Sequence, residues 1–453
     1  MSKQIAMKSI PILLFCGFVM VFAGCSNKHA DVKPLALMVM KQVKTLFDTA
    51  QSYYICLPPS YDTSKSYPVV FAFDPHANGD IPVRRMMMAA AKYGFIIAGS
   101  NNSYNSAPNI EYVINSFIYD VGRQFSIEGN RVYVAGFSGG ARIASTMAFM
   151  SRKIRGVVAC GAGLYFPESA LSGSQVKYYG MAGKDDFNYS ELFNTGTMLS
   201  RTGITHYIEF FNGGHDWPSD SLMDEALLWM HINEMKDGTV PVNKELLEEV
   251  AAGFLKRIKT LNRNGHKYEA YVTSQKAISF IGGMVNIKKI RSYYNRLKKD
   301  KDVISRQQEI IVLINKEQQL RSGYQAALAN QSLAWWKNEM KQLDERISST
   351  ITDERAMYMR LKNFLGMLGF MHAKNMLVKG SFTQQRSAVA IYETLSPSNP
   401  DVQLLSAQSF MLNGMTDSAI ASLKAALQLG FKNIREIEQD TLLGKLYQSL
   451  SIK

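Results

Sequence analysis

From Gln51 to Met235, short apolar runs of strand length alternate with longer segments of helical period, and this alternation constrains the fold more than any other feature of the chain. Residues 53–57, 69–73 and 95–98 read as strands, with a helix over 83–93 between the last two. Residues 110–125 form an amphipathic helix, and 132–134 are the β-branched and aromatic core of the next strand. Further strands follow at 156–160, 177–181 and 205–211, with helices at 190–201 and 221–235. Strands spaced by helices join through right-handed crossovers, so the pattern predicts a mostly parallel, doubly wound α/β sheet covered on both faces. In such sheets ligands bind beyond the carboxyl ends of the strands.

Arg131 to Ser145, RVYVAGFSGGARIAS, is strand, sharp turn and helix in one stretch. Gly136 and Gly140 stand two residues either side of Ser138. A serine on so tight a turn sits at strained backbone angles, and a side chain at either flanking position would strike the neighbouring strand or helix. The turn lifts the Ser138 hydroxyl above the sheet edge and aims the Gly139 N–H at an incoming carbonyl oxygen. G-x-S-x-G alone arises often by accident, so its weight comes from two later loops of the chain.

The strand at 177–181 runs into Ala182-Gly183-Lys184-Asp185-Asp186-Phe187, and the strand at 205–211 into Asn212-Gly213-Gly214-His215-Asp216-Trp217-Pro218. A serine, an acid and a histidine, each after a strand and in that chain order, resemble the α/β-hydrolase family. Gly-Gly-His-Asp-Trp-Pro is similar to the histidine loop of its secreted esterase and polyhydroxyalkanoate-depolymerase-like branches. The resemblance covers about residues 50–237. A serine hydroxyl needs a base to take its proton during attack, for which His215 is the candidate; a carboxylate on the other ring nitrogen would hold the imidazole. The resemblance implies Asp186 rather than Asp185 for that carboxylate, because Gly183-x-x-Asp186 has the family's spacing. It also implies a second oxyanion donor in the loop Asp74-Pro75-His76-Ala77-Asn78-Gly79. The family commonly has His-Gly there, this chain has His76-Ala77, and Ala77 N–H is the candidate beside Gly139 N–H. Asn101 to Asn105 form a polar loop that is a candidate for lining the cleft, with no assignable chemistry. His206 alternates with Ile204 and Ile208 inside a strand and reads as structural.

Residues 1–25 carry Lys3 and Lys8, an apolar run over 10–22, and Ala23-Gly24-Cys25, the make-up of an export signal. The break resembles the lipobox of bacterial lipoproteins, with Phe22 where an aliphatic residue is usual. That resemblance implies lipidation of Cys25 and attachment to a membrane of the cell envelope. Ordinary cleavage beside an incidental cysteine is the other reading. Residues 26–48 read as a polar tether and a short helix. Of four cysteines, Cys56 and Cys160 remain in strand-like sequence and read as buried free thiols.

Beyond Gly238 the period changes to helix throughout. Residues 244–260, 267–281, 304–347 and 353–377 favour helix formers. Residues 387–395 and 402–430 resemble tetratricopeptide helix pairs, with Ala407, Ala419, Leu423 and Ala426 near that repeat's packing positions and Asn413-Gly414 as the turn. A generic helical bundle is the alternative. The expected divisions are therefore a hydrolase domain over 49–238, a helical region over 239–360 and repeat-like helices over 361–453. Stacked helix pairs offer a concave face to a peptide or protein partner. The chain carries a formal +13, and residues 251–300 hold 12 Lys or Arg against 2 Asp or Glu. A solvated helical face explains that surplus, and no nucleic acid partner is expected. Trp335-Trp336 reads as a packing anchor.

The resemblances together imply an envelope lipoprotein with a serine-hydrolase domain, acting on a small ester or acylated substrate without metal or organic cofactor. A peptidase of the prolyl-oligopeptidase type shares the fold and triad, although only about 25 residues separate Cys25 from the first strand, too few for a propeller. A catalytically silent hydrolase fold presenting its helical half to a partner is the third reading.

Overall fold

A computed structural model describes residues 39–450 apart from Ser106 and Ile351. Cys25 and the residues read as an export signal lie outside the described residues. The first half runs β1 (Met40–Lys44), β2 (Ser52–Cys56), β3 (Tyr67–Phe73), α1 (Asp80–Tyr93), β4 (Ile96–Ser100), α2 (Ile110–Gln124), β5 (Ile127–Phe137) and α3 (Gly139–Met150). It continues through β6 (Ile154–Cys160), α4 (Glu168–Leu171), β7 (Lys177–Gly183), α5 (Tyr189–Thr202), β8 (His206–Phe211) and α6 (Asp220–Lys236). The eight strands form one sheet in the order β1-β2-β4-β3-β5-β6-β7-β8. β1 and β2 are antiparallel to their neighbours, and every pairing from β4 onward is parallel.

β1 corrects the reading of residues 26–48 as a tether ending in a helix. MKQVK has little strand character of its own, but Met40 to Lys44 lie opposite Cys56 to Ser52. The open edge of β2 decides their conformation, because strand preference depends mostly on an available partner.

Successive strand residues face opposite sides. Val70 and Ala72 of β3 face α1 and α6 with Met86, Leu227 and Trp229, whereas Val69, Phe71 and Phe73 face α2 and α3 with Phe117 and Ala144. Burial on both faces explains why β3 reads YPVVFAF without polar alternation. Cys56 and Cys160 are free and buried; burial raises the Cys56 thiol to about 11 and pushes Cys160 up further.

The second half comprises α7 (Lys244–Arg263), α8 (Lys267–Ile281), α9 (Lys288–Leu297), α10 (Lys301–Asn330), α11 (Leu333–Ser349) and α12 (Thr352–Lys379). α13 (Phe382–Leu395), α14 (Pro400–Leu412), α15 (Thr416–Gln428), α16 (Ile434–Gln439) and α17 (Gly444–Ser449) complete it. The core does not break at Gly238, where the sequence period changes. Leu247, Ile258, Phe280 and Ile290 of α7 to α9 join the apolar cluster that α1 and α6 form on the sheet. Lys276 of α8, 4% exposed, pairs with Glu209 of β8 at 2.6 Å and with Glu225 of α6. Lys256, Arg257, Lys259, Lys288, Lys289 and Arg291 are exposed, as a solvated basic face requires.

The continuous helical stretch expected over 304–347 is two helices. Ser332 interrupts it by accepting the Trp335 N–H through its side chain, an N-cap that starts α11. Trp336 is fully buried among Tyr324, Leu343, Met357 and Leu361. α14 and α15 pack through Ala407, Ala419, Leu423 and Ala426, all fully buried, around the Asn413-Gly414 turn.

Candidate active site

β5 lies at the centre of the sheet between β3 and β6, and its last residue, Phe137, is followed by Ser138 at φ 51° and ψ −117°. Positive φ is costly for a residue with a Cβ and persists only where neighbours hold it. Here Ser138 N–H donates to the Cys160 carbonyl at 2.8 Å, and the Ser138 carbonyl accepts from Ala141 N–H at 3.1 Å. The two flanking glycines are required by close approach. A Cβ on Gly136 would stand 2.2 Å from the Gly140 carbonyl oxygen, and one on Gly140 would stand 2.0 Å from that of Phe73. Gly139 opens α3, where a backbone N–H has no partner inside the helix and faces its positive end.

Loops after β7 and β8 bring the other two groups to the same rim. His215 Nε2 is 2.9 Å from Ser138 Oγ, and His215 Nδ1 is 2.9 Å from Asp186 Oδ1. A carboxylate only accepts, so the network assigns the proton to Nδ1 and leaves Nε2 to accept from the serine hydroxyl. Asp186 is fully buried; its Oδ1 also accepts the Asn188 N–H at 2.7 Å, and Oδ2 has no partner among the described residues. Phe137 and Phe187 pack on the imidazole at 4.6 and 4.2 Å between ring centres. Asp185 N–H donates to the Gly213 carbonyl at 2.9 Å, tying the acid loop to the histidine loop. His206 starts β8 at the opposite end of the strand from the His215 loop, with Nδ1 2.7 Å from the Ile204 carbonyl.

The 74–79 loop corrects the expectation for Ala77. Its N–H donates to the Asp74 carbonyl at 3.0 Å, and its φ is 59°, a left-handed conformation that glycine adopts more readily than alanine. His76 and Asn78 N–H both donate to Asp74 Oδ1, at 2.9 and 3.2 Å, and Gly79 N–H donates to Asn101 Oδ1 at 3.2 Å. Ala77 N–H is thus spent on closing the turn. The Asn105 side chain lies beside Gly139: a Cβ on Gly139 would stand 1.8 Å from Asn105 Oδ1 and 3.1 Å from Nδ2, so that amide lies directly against the helix start.

Two residues that sequence reasoning left without a role brace the site. Buried Asp74 accepts the Trp217 indole N–H at 2.8 Å, joining the 74–79 loop to the histidine loop. Asn188 donates through its side chain to the Gly161 carbonyl at 2.6 Å.

No protein-family profile matches the chain, and no curated protein matches it. Solved structures resemble it in part. The fluorophosphonate-binding serine hydrolase F of Staphylococcus aureus aligns at 17% identity and a TM-score of 0.36, covering 43% of this chain and 98% of that one. The S-formylglutathione hydrolase of Staphylococcus aureus aligns at 16% and 0.34, covering 43% and 96%, and a ferulic acid esterase at 17% and 0.35, covering 42% and 96%. At that distance the likeness transfers no residue role and no substrate. The strand order, the crossovers and the serine turn are features of the chain itself, and by them residues 40–236 adopt the α/β-hydrolase fold.

Proposed function

We infer that the chain is a serine hydrolase of carboxylic esters. The observation that carries this reading is the His215 ring bridging the Ser138 hydroxyl and the buried Asp186 carboxylate at 2.9 Å on each side. Ser138 Oγ attacks the ester carbonyl carbon as its proton passes to His215 Nε2, and Asp186 stabilises the imidazolium that forms. Gly139 N–H, with the Asn105 side-chain NH2 turned toward it, holds the resulting oxyanion. The carbon–alkoxy bond then breaks, His215 returns the proton to the leaving alcohol, and an acyl group remains on Ser138. Water, deprotonated by His215, attacks that ester and releases the acid, restoring Ser138.

The test is labelling by a fluorophosphonate probe, with the modified peptide identified by mass spectrometry, alongside initial rates on p-nitrophenyl acyl esters and peptidyl anilides. Modification of Ser138 with turnover of the esters is expected. Faster turnover of the anilides would shift the reading to a peptidase, and a chain inert to both probe and substrates would be a silent hydrolase fold. For the oxyanion assignment, Asn105→Ala is expected to lower kcat about a hundredfold with little change in KM; an unchanged kcat would remove Asn105 from the mechanism.

A further inference from the structure

The loop that carries Asp186 is gripped from two sides. Toward the sheet, Lys184 N–H donates to the Phe211 carbonyl at 2.8 Å and Asp185 N–H to that of Gly213 at 2.9 Å. Three of its four carbonyls accept from the helical half. Arg360 Nη1 of α12 donates to the Lys184 carbonyl at 2.8 Å, and Asn363 Nδ2 to the Asp185 carbonyl at 3.1 Å. Arg321 Nη2 of α10 donates to the Phe187 carbonyl. The remaining carbonyl, that of Asp186, accepts Tyr189 N–H at 2.9 Å. Three donors from two distant helices thus hold the residues on both sides of Asp186.

The donors are themselves fixed. Glu317 of α10 is fully buried and joins both arginines, through Oε1 to Arg321 at 2.6 Å and through Oε2 to Arg360 Nη2 at 2.6 Å and Nε at 2.8 Å. Arg360, 4% exposed, lies 4.4 Å over the Tyr189 ring, and Arg321 lies 4.6 Å over Phe364. A guanidinium held by several partners at once presents a rigid fork, so this buried network sets a geometry more than it adds stability. Its target is sensitive, because a displacement of about 1 Å in a catalytic group can cost a hundredfold in rate.

We propose that Arg360, Arg321 and Asn363 are positioning residues, through which the helical half holds the Asp186 loop in register with His215. The α/β domain then depends on α10 and α12 for an aligned acid, and the active site belongs to both halves of the chain. The kinetic arm of the test rests on the hydrolytic reading. A second arm reads the His215–Asp186 hydrogen bond itself, through the far-downfield proton resonance of His215 Nδ1–H, whatever the chain hydrolyses.

The experiment compares full-length wild type, Arg360→Gln and Asn363→Ala, each checked for folding by near-UV circular dichroism. For folded Arg360→Gln the expectation is a kcat tenfold to a hundredfold lower with KM within about threefold, and a shifted or lost downfield resonance. Unchanged kcat and resonance in that variant overturn the proposal. Should Arg360→Gln not fold, the exposed, uncharged Asn363 decides: a displaced resonance and a two- to fivefold lower kcat support positioning, and wild-type values for both overturn it. A resonance that moves in a chain without esterase turnover supports positioning while removing only the hydrolytic reading.

Discussion

Asp186→Asn is expected to fold as the wild type does and to lose about four orders of magnitude in kcat on p-nitrophenyl esters. Asp186 Oδ1 accepts two hydrogen bonds, from His215 Nδ1 and from Asn188 N–H, inside a fully buried site. An amide oxygen at that position keeps both bonds but no negative charge, so the imidazolium formed during attack loses its stabilising partner. Turned the other way, the amide NH2 donates to Nδ1 and leaves Nε2 protonated, unable to accept from Ser138. Either arrangement disables the base. Asp185→Asn is the control: the His215 ring bonds to Asp186 and Ser138 instead, and kcat is expected to stay within about twofold. A severe loss in Asp185→Asn with near-normal Asp186→Asn would overturn this assignment and make Asp185 the acid.

Glu234→Ala is expected to cost about 3–5 kcal/mol of stability, measured by urea unfolding. Glu234 of α6 is 3% exposed and accepts from Arg131 Nε at 2.9 Å, Arg131 Nη2 at 2.7 Å and the Tyr133 hydroxyl at 2.7 Å. Its Oε2 also lies 2.9 Å from His231 Nδ1. The alanine leaves Arg131, 9% exposed, with Glu128 as its remaining acid among the described residues. Arg131 and Tyr133 stand on the strand that leads to Ser138, and Glu234 on the helix after the histidine loop, so the network pins the two elements together. Burial pushes the Glu234 carboxyl up, and the hydrogen bonds from His231, Arg131 and Tyr133 outweigh it, holding the group below its ordinary 4.5. A carboxyl held lower in the folded state stabilises fully above its unfolded value and loses that contribution as pH falls through the folded one. Wild-type stability should therefore decline below about pH 4.5 with a component missing from Glu234→Ala; identical acid profiles would contradict the assignment.

The strand and helix alternation over 51–235, the strained serine turn and the order of the three rim loops were all legible along the chain. Each depends on residues close in sequence: period two or 3.6 over one element, glycines two places from Ser138, and loop residues directly after a strand, whereas the choice of Asp186 over Asp185 came from the family resemblance. The same local signals placed α8 at its observed bounds and buried Trp336. They failed wherever a distant partner decides. Residues 40–44 become a strand because β2 offers an open edge, and Ala77 N–H is lost to a turn that the Asp74 side chain helps to close.

What the chain alone determined, then, is where the strands, helices and rim loops fall, and so on which edge of the sheet Ser138, Asp186 and His215 emerge, because those depend on backbone preferences spanning a few residues. The tertiary structure decided which neighbours hold them. Arg321 lies 134 positions from Phe187, Arg360 lies 176 from Lys184 and Asn363 lies 178 from Asp185. A hydrogen bond between groups so far apart is formed by the packing of whole helices against the sheet, and it imposes no period or spacing on the residues that make it.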